Sequence, residues 1–205
     1  MRYSMVIDLK KCIGCYACQV ACKAVNATSK GIHWCRVVKQ ESGKYPNVKL
    51  LILPILCMHC EDPACVRVCP TGATSKRPED GIVTIDENKC IGCRACMAAC
   101  PYGVRYYYDK EVEYFPGKGL TSLEELGRQK YSTGAVQKCD FCLSLKGVQE
   151  DYIPFCVEVC PVGARYFGDR EDPNSEVSHL ISQRKGFQLN PEFGTNPSVF
   201  YLPDY

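Results

Sequence analysis

Cys12, Cys15, Cys18 and Cys22 follow one another as C-x2-C-x2-C-x3-C. Thiols at that spacing ligate the irons of a four-iron, four-sulfur cube. Variants of the run return three times: Cys57, Cys60, Cys65 and Cys69; Cys90, Cys93, Cys96 and Cys100; and Cys139, Cys142, Cys156 and Cys160. The last is stretched by a 13-residue insert between its second and third members. Sixteen of the 17 cysteines are so grouped, and Cys35 is left over. The chemistry indicated is one-electron transfer, without bond-making by the protein itself.

Two other uses of thiols are weaker fits. Disulfides suit short secreted chains, whereas C-x2-C pairs favour metal or redox chemistry. Structural zinc takes two separated pairs rather than triplets followed by Cys-Pro, as at Cys69-Pro70, Cys100-Pro101 and Cys160-Pro161. His59 lies within a group that already has four thiols, so it is read as a hydrogen-bonding or packing residue. Lys11, Lys89 and Lys138 each precede a first cysteine. An ammonium there would raise a cluster potential, but solvated lysines at the loop mouths are the plainer reading. Cys35 is read as a buried free thiol, and Tyr106, Tyr107 and Tyr108 as packing residues.

A cube needs one thiolate on each iron. Three closely spaced cysteines can follow one side, with Gly14, Ala17, Gly92 and Ala95 letting the backbone approach. The fourth comes from a distance: in two-cluster ferredoxins the last cysteine of one run ligates the other cluster, and the following proline turns the chain away. Which runs pair is open from duplication alone, because Ile7–Cys18 aligns with Ile85–Cys96 and Cys65–Ala73 with Cys156–Ala164. That permits one with two and three with four. Linker lengths favour two with three, joined by 20 residues, over the links of 34 and 38 residues. On that reading Cys12, Cys15, Cys18 and Cys160 form a first quartet, and Cys57, Cys60, Cys65 and Cys100 a second. Cys90, Cys93, Cys96 and Cys69 form a third, and Cys139, Cys142, Cys156 and Cys22 a fourth. The cofactors expected are four [4Fe–4S] clusters. Domains this small bury little core, so the clusters are expected to supply folding energy.

The elements that must position these loops are short. Strands are expected at Tyr3–Leu9, Val48–Leu53 and Ile82–Ile85, the last after a turn at Glu79-Asp80-Gly81. Helices are expected at Cys18–Val25, at Ser122–Gly127 with Ser122 and Glu125 as a capping box, and at Glu176–Arg184. Residues 26–46 read as loop. Residues 1–56 with 134–170 make an outer unit and residues 57–108 an inner one. Residues 109–133 are an insertion and residues 171–205 an extended partner-binding tail.

The 205 residues carry a net charge of +2, which gives no reason to expect nucleic acid as a partner. The longest apolar stretch, Leu50 to Met58, is interrupted by Pro54 and too short to span a bilayer. No export signal is expected at the start, where Asp8, Lys10 and Lys11 end the apolar run. No nucleophile–base pair or nucleotide loop stands out, so the chain is not expected to be an enzyme.

With four such runs and a split fourth one, the chain resembles the iron–sulfur (beta) subunits of dimethyl-sulfoxide-reductase-type molybdoenzymes. The phrases Cys100–Val104, Phe167–Asp169, Asp172–Ser175 and Gly194–Tyr201 carry the likeness. The tail and Gly31-Ile32-His33-Trp34 are most similar to subunits of polysulfide, thiosulfate, tetrathionate and respiratory arsenate reductases, with arsenate narrowly favoured. The resemblance implies an α+β fold of two ferredoxin-like units, each holding two clusters and related by a pseudo-twofold. It implies anaerobic respiration, a molybdopterin catalytic subunit and, in many members, a membrane quinol-oxidising subunit. It also implies a periplasmic location reached together with that catalytic subunit; a cytoplasmic one is the alternative. The second functional reading is a cytoplasmic polyferredoxin subunit of a hydrogenase, formate or carbon monoxide dehydrogenase, or aldehyde oxidoreductase.

Overall fold

A computed structural model describes residues 1–109, 113–146 and 152–204. Its centre is a three-stranded sheet. Strand β1 (Tyr3–Asp8) runs antiparallel to β8 (Arg165–Asp169) and parallel to β9 (Val199–Leu202). Met5, Val6, Ile7, Val199, Tyr201 and Leu202 are fully buried. This inner strand therefore lacks the polar face that an alternating pattern would lead one to expect.

Residues 26–46 are not all loop. Strand β2 (Arg36–Lys44) pairs antiparallel with β3 (Asn47–Ile55) in a nine-residue hairpin. Both faces of its outer half are exposed, so β2 has no buried alternation by which the sequence could announce it. The tail is also tied into the fold. Besides carrying β9, residues 195–198 bond to the second cysteine group: Glu61 and Asp62 amides donate to the carbonyls of Asn196 and Thr195, and the Ser198 amide donates to Met58. Tyr201, wholly buried, donates its hydroxyl to the Pro54 carbonyl at 2.8 Å.

Short helices follow the cysteine loops: α1 (Ala17–Asn26), α2 (Ala64–Arg67), α3 (Ala95–Ala98) and α5 (Phe155–Glu158). Helix α1 packs on α5, and α2 on α3. Groups one and four are thereby neighbours, as are groups two and three. Strand β4 (Thr74–Lys76) pairs with β5 (Val83–Ile85), and β6 (Tyr106–Tyr107) with β7 (Val136–Gln137). In the insertion, α4 (Ser122–Lys130) has its capping box one residue earlier than expected, with Thr121 as the N-cap and Glu124 completing it. Helix α4 is seated on the end of α1, where Tyr131 donates to the Asn26 carbonyl at 2.6 Å. Helix α6 (Glu176–Gln183) lies on the central sheet, with Ser175 as its cap. Among the described residues, no helix is long and apolar enough to cross a membrane.

Candidate iron–sulfur centres

In the opening C-x2-C turn of each group the second intervening residue curls back with positive φ. Glycine does this in groups one and three, at Gly14 (φ 65°) and Gly92 (φ 67°), where it has no side chain to clash. In groups two and four the same position is His59 (φ 42°) and Phe141 (φ 59°), left-handed without glycine. A ring at each holds the turn by packing: His59 and Phe141 are fully buried and stack on one another.

The turns gather thiols from distant groups. Cys12, Cys15, Cys18 and Cys160 line one pocket, with Arg165 at its wall. Cys69, Cys90, Cys93 and Cys96 line another. Cys60 lies within the electrostatic reach of Cys57, Cys65 and Cys100, and burial together with these neighbours pushes its thiol up to about 12. Cys139 is surrounded by Cys22, Cys142 and Cys156 and is driven well up by burial. No disulfide joins any two of the cysteines. No three His, Cys, Asp or Glu side chains of the described residues converge as they would on a single ion.

The quartets follow one another through the molecule. Cys156 of the fourth lies within reach of Cys18 of the first. Lys138, at the head of group four, reaches Cys65 of the second, and the His59–Phe141 stack joins the same two groups. Arg105 lies among Cys65 and Cys57 of the second quartet and Cys96 of the third. The order is first, fourth, second, third. Both end quartets include an exposed thiol, Cys15 and Cys93, whereas all four thiols of the fourth quartet are buried.

The surroundings fit anionic, thiolate-bound clusters. Backbone amides of Thr74, Ala164 and Phe141 donate to the sulfurs of Cys69, Cys160 and Cys139 at 3.3 to 3.4 Å. Burial pushes Cys65 and Cys156 up to about 11, so iron must displace their protons as it binds. Three cations are buried nearby. Arg105, Lys138 and Arg165 are each 4% exposed, and among the described residues none meets a carboxylate. A buried cation without an anion is costly, and thiolate-held cubes would supply one.

Lys138 corrects the solvated reading of the three lysines. Its ammonium donates to the carbonyls of Val83 and Cys139. Lys11 and Lys89 do face solvent, beside Tyr166 and Asp86 respectively. His59 is a packing and hydrogen-bonding residue: its Nδ1 accepts from the Val83 amide at 3.0 Å, and burial holds the ring neutral. Cys35 is buried and accepts from Arg165 at 3.2 Å. Tyr107 carries the Arg94 guanidinium 3.6 Å from its ring centre, and Tyr108 is buried. No thiol spacing points to the two arginines, although Cys100-Pro101-Tyr102-Gly103-Val104-Arg105 repeats as Cys160-Pro161-Val162-Gly163-Ala164-Arg165.

Comparison with known proteins finds iron–sulfur cluster domains along the chain. The family description "4Fe-4S dicluster domain" matches residues 48–118 and, in a second form, residues 89–165; "4Fe-4S binding domain" matches residues 3–24. The chain is 40% identical to the arsenate respiratory reductase iron–sulfur subunit of Shewanella sp., over 100% of this chain and 97% of that one. It is 41% identical to a selenate reductase subunit of Mesobacillus selenatarsenatis, covering 98% and 72%. With a tetrathionate reductase subunit of Salmonella typhimurium the identity is 38%, covering 98% and 72%.

Proposed function

The chain belongs to the family of iron–sulfur subunits of molybdoenzyme reductases, and from that premise we propose that it conducts electrons through four [4Fe–4S] clusters in single file. It is a non-catalytic electron-transfer subunit. In this reading Cys12, Cys15, Cys18 and Cys160 hold the first cluster, and Cys22, Cys139, Cys142 and Cys156 the next in line. Cys57, Cys60, Cys65 and Cys100 hold the third in line, and Cys69, Cys90, Cys93 and Cys96 the last. The clusters supply the one-electron chemistry. The chain spaces them, buries the thiols of the fourth quartet and donates hydrogen bonds to cluster-facing sulfurs.

The observation that carries the reading is the run of four thiol quartets between two solvent-facing ends. Electrons can enter and leave only where a partner can approach. Exposed apolar residues rim both places: Ile13 and Val20 flank the first quartet, and Ile91 and Val68 the third. We propose that one end meets a molybdopterin catalytic subunit and the other a donor, such as a membrane quinol-oxidising subunit. The two ferredoxin-like units, residues 1–56 with 134–170 and residues 57–108, are then related by a pseudo-twofold, as the α1–α5 and α2–α3 pairings suggest. We propose the insertion and the tail as further places of partner contact.

For the catalytic partner we propose an oxyanion or sulfur-compound reductase, with arsenate favoured because the arsenate relative matches nearly end to end. A periplasmic complex follows from that respiratory role. Anaerobic copurification of the native complex tests these points together. About sixteen irons per chain are expected, four to a cluster, with a molybdenum-containing large subunit that turns over arsenate. A colourless zinc protein would end the cluster reading, and turnover of selenate or tetrathionate alone would replace the substrate.

A further inference from the structure

Arg105 and Arg165 stand at the same place in two repeats, five residues after Cys100 and Cys160. Both leave the surface almost completely. Arg105 donates through Nη2 to Thr74 Oγ1 at 2.7 Å, while its Nε and Nη1 have no hydrogen-bond partner among the described residues. Arg165 donates to the sulfurs of Met5 at 3.5 Å and Cys35 at 3.2 Å. Neutral sulfur and hydroxyl acceptors return little of what a guanidinium loses on leaving water. Neither arginine meets a carboxylate among the described residues.

Each lies instead between two quartets of one unit. Cys65, Cys96 and Cys57 surround Arg105 and span the second and third quartets. Cys156 and Cys18, with Cys35, surround Arg165 and span the fourth and first.

We infer that Arg105 and Arg165 are the internal counter-charges of the two units, each raising the potential of both clusters between which it lies. A guanidinium does not titrate in the working range. It therefore offsets an electron placed on either neighbour without taking up a proton. It also favours an electron on each of the two neighbours, and so offsets part of the cost of holding both clusters reduced at once. The inference rests on the cluster assignment proposed above and adds to it a positioning role for two residues that ligate nothing.

The test uses the intact complex carrying Arg105→Gln, Arg105→Lys, Arg165→Gln or Arg165→Lys, with redox titration followed by electron paramagnetic resonance and iron analysis. For Arg105→Gln, the reduced-to-oxidised ratio of the second and third clusters at fixed potential should fall at least tenfold. That is a downward shift of about 59 mV or more for a one-electron couple. The first and fourth clusters should move less than threefold. Arg165→Gln should give the converse pattern, and both lysine variants should stay near the parent. Unchanged potentials, or an equal shift of all four clusters, would overturn the inference. If a glutamine variant loses iron, recovery of iron in the lysine variant supports a charge role, and failure of both assigns the residue to packing and overturns it. Absence of four cluster signals in the parent complex would instead defeat the underlying cluster assignment.

Discussion

The imidazole of His59 lies on the ring of Phe141, with centroids 3.9 Å apart and planes 29° apart. Each residue precedes the second cysteine of its C-x2-C turn, and each has the positive φ that glycine supplies in the other two groups. Opposing terms decide what His59→Gly does. Glycine removes about 1–2 kcal/mol of left-handed strain. It also removes a buried ring worth about 2–3 kcal/mol and an aromatic contact worth about 0.5–1.5 kcal/mol. The net expectation is destabilisation by about 2 kcal/mol, read as a lower guanidinium concentration for loss of cluster absorbance. A variant as stable as the parent would show that the stack does not hold the turn.

Glycine positions with similar φ should respond differently to alanine. A Cβ at Gly92 would meet the Gly134 carbonyl oxygen at 2.4 Å, whereas one at Gly72 would meet nothing within 4 Å. Gly72→Ala should cost about 1–2 kcal/mol from the left-handed backbone alone. Gly92→Ala adds overpacking of about 1–3 kcal/mol and should lower iron content. Thermal loss of the visible absorbance, measured side by side, checks the order.

Because residues 195–198 hydrogen-bond to the second cysteine group, removing residues 187–205 should cost iron as well as any partner contact. Tyr201→Phe is the milder probe. It leaves the Pro54 carbonyl, which Tyr201 now satisfies, without its partner, at about 1–2 kcal/mol. Iron analysis of the truncated chain decides the first point; retention of all the iron would show that the tail is dispensable to the clusters.

Much of this was legible in the chain and some was not, for reasons that differ by residue. Strand β1 and helices α1 and α6 announce themselves by pattern, and the spacing of sixteen thiols directs attention to cluster chemistry. Strand β9 is four residues among prolines and becomes a strand only by pairing with β1, nearly two hundred residues earlier. The outer half of strand β2 faces solvent on both sides and has no period to read. Burial of Arg105, Lys138 and Arg165 runs against the usual exposure of such residues. Nothing local marks it, although the repeated Cys-Pro-x-Gly-x-Arg phrase could have done so.

Acid should loosen the link between the first strand and the last helix. Burial alone would raise the Asp8 carboxyl, but Arg184 and the amides of Lys10 and Lys11 outweigh it and hold it below its ordinary value. A carboxylate depressed in the folded state stabilises fully above its unfolded pKa, near 4, and loses that contribution as pH falls through the lower folded value. Between pH 7 and 3 the advantage of the parent over Asp8→Asn should shrink from about 1–2 kcal/mol toward zero. Denaturation midpoints of both proteins across one pH series measure it. An advantage that stayed constant with pH would leave the ion pair without a part in stability.

The parallel partnership of β1 with β9 also dictates an order of events during synthesis. The first thiol triplet leaves the ribosome well before Cys160 and the strand that covers β1. Closing so long a loop is entropically costly and slow. Iron delivered to a nascent chain would meet three thiols and an open strand edge, a state exposed to aggregation. Cluster insertion into the outer unit is therefore a late step, and a chain that has completed it has already shown that its first and last strands are joined.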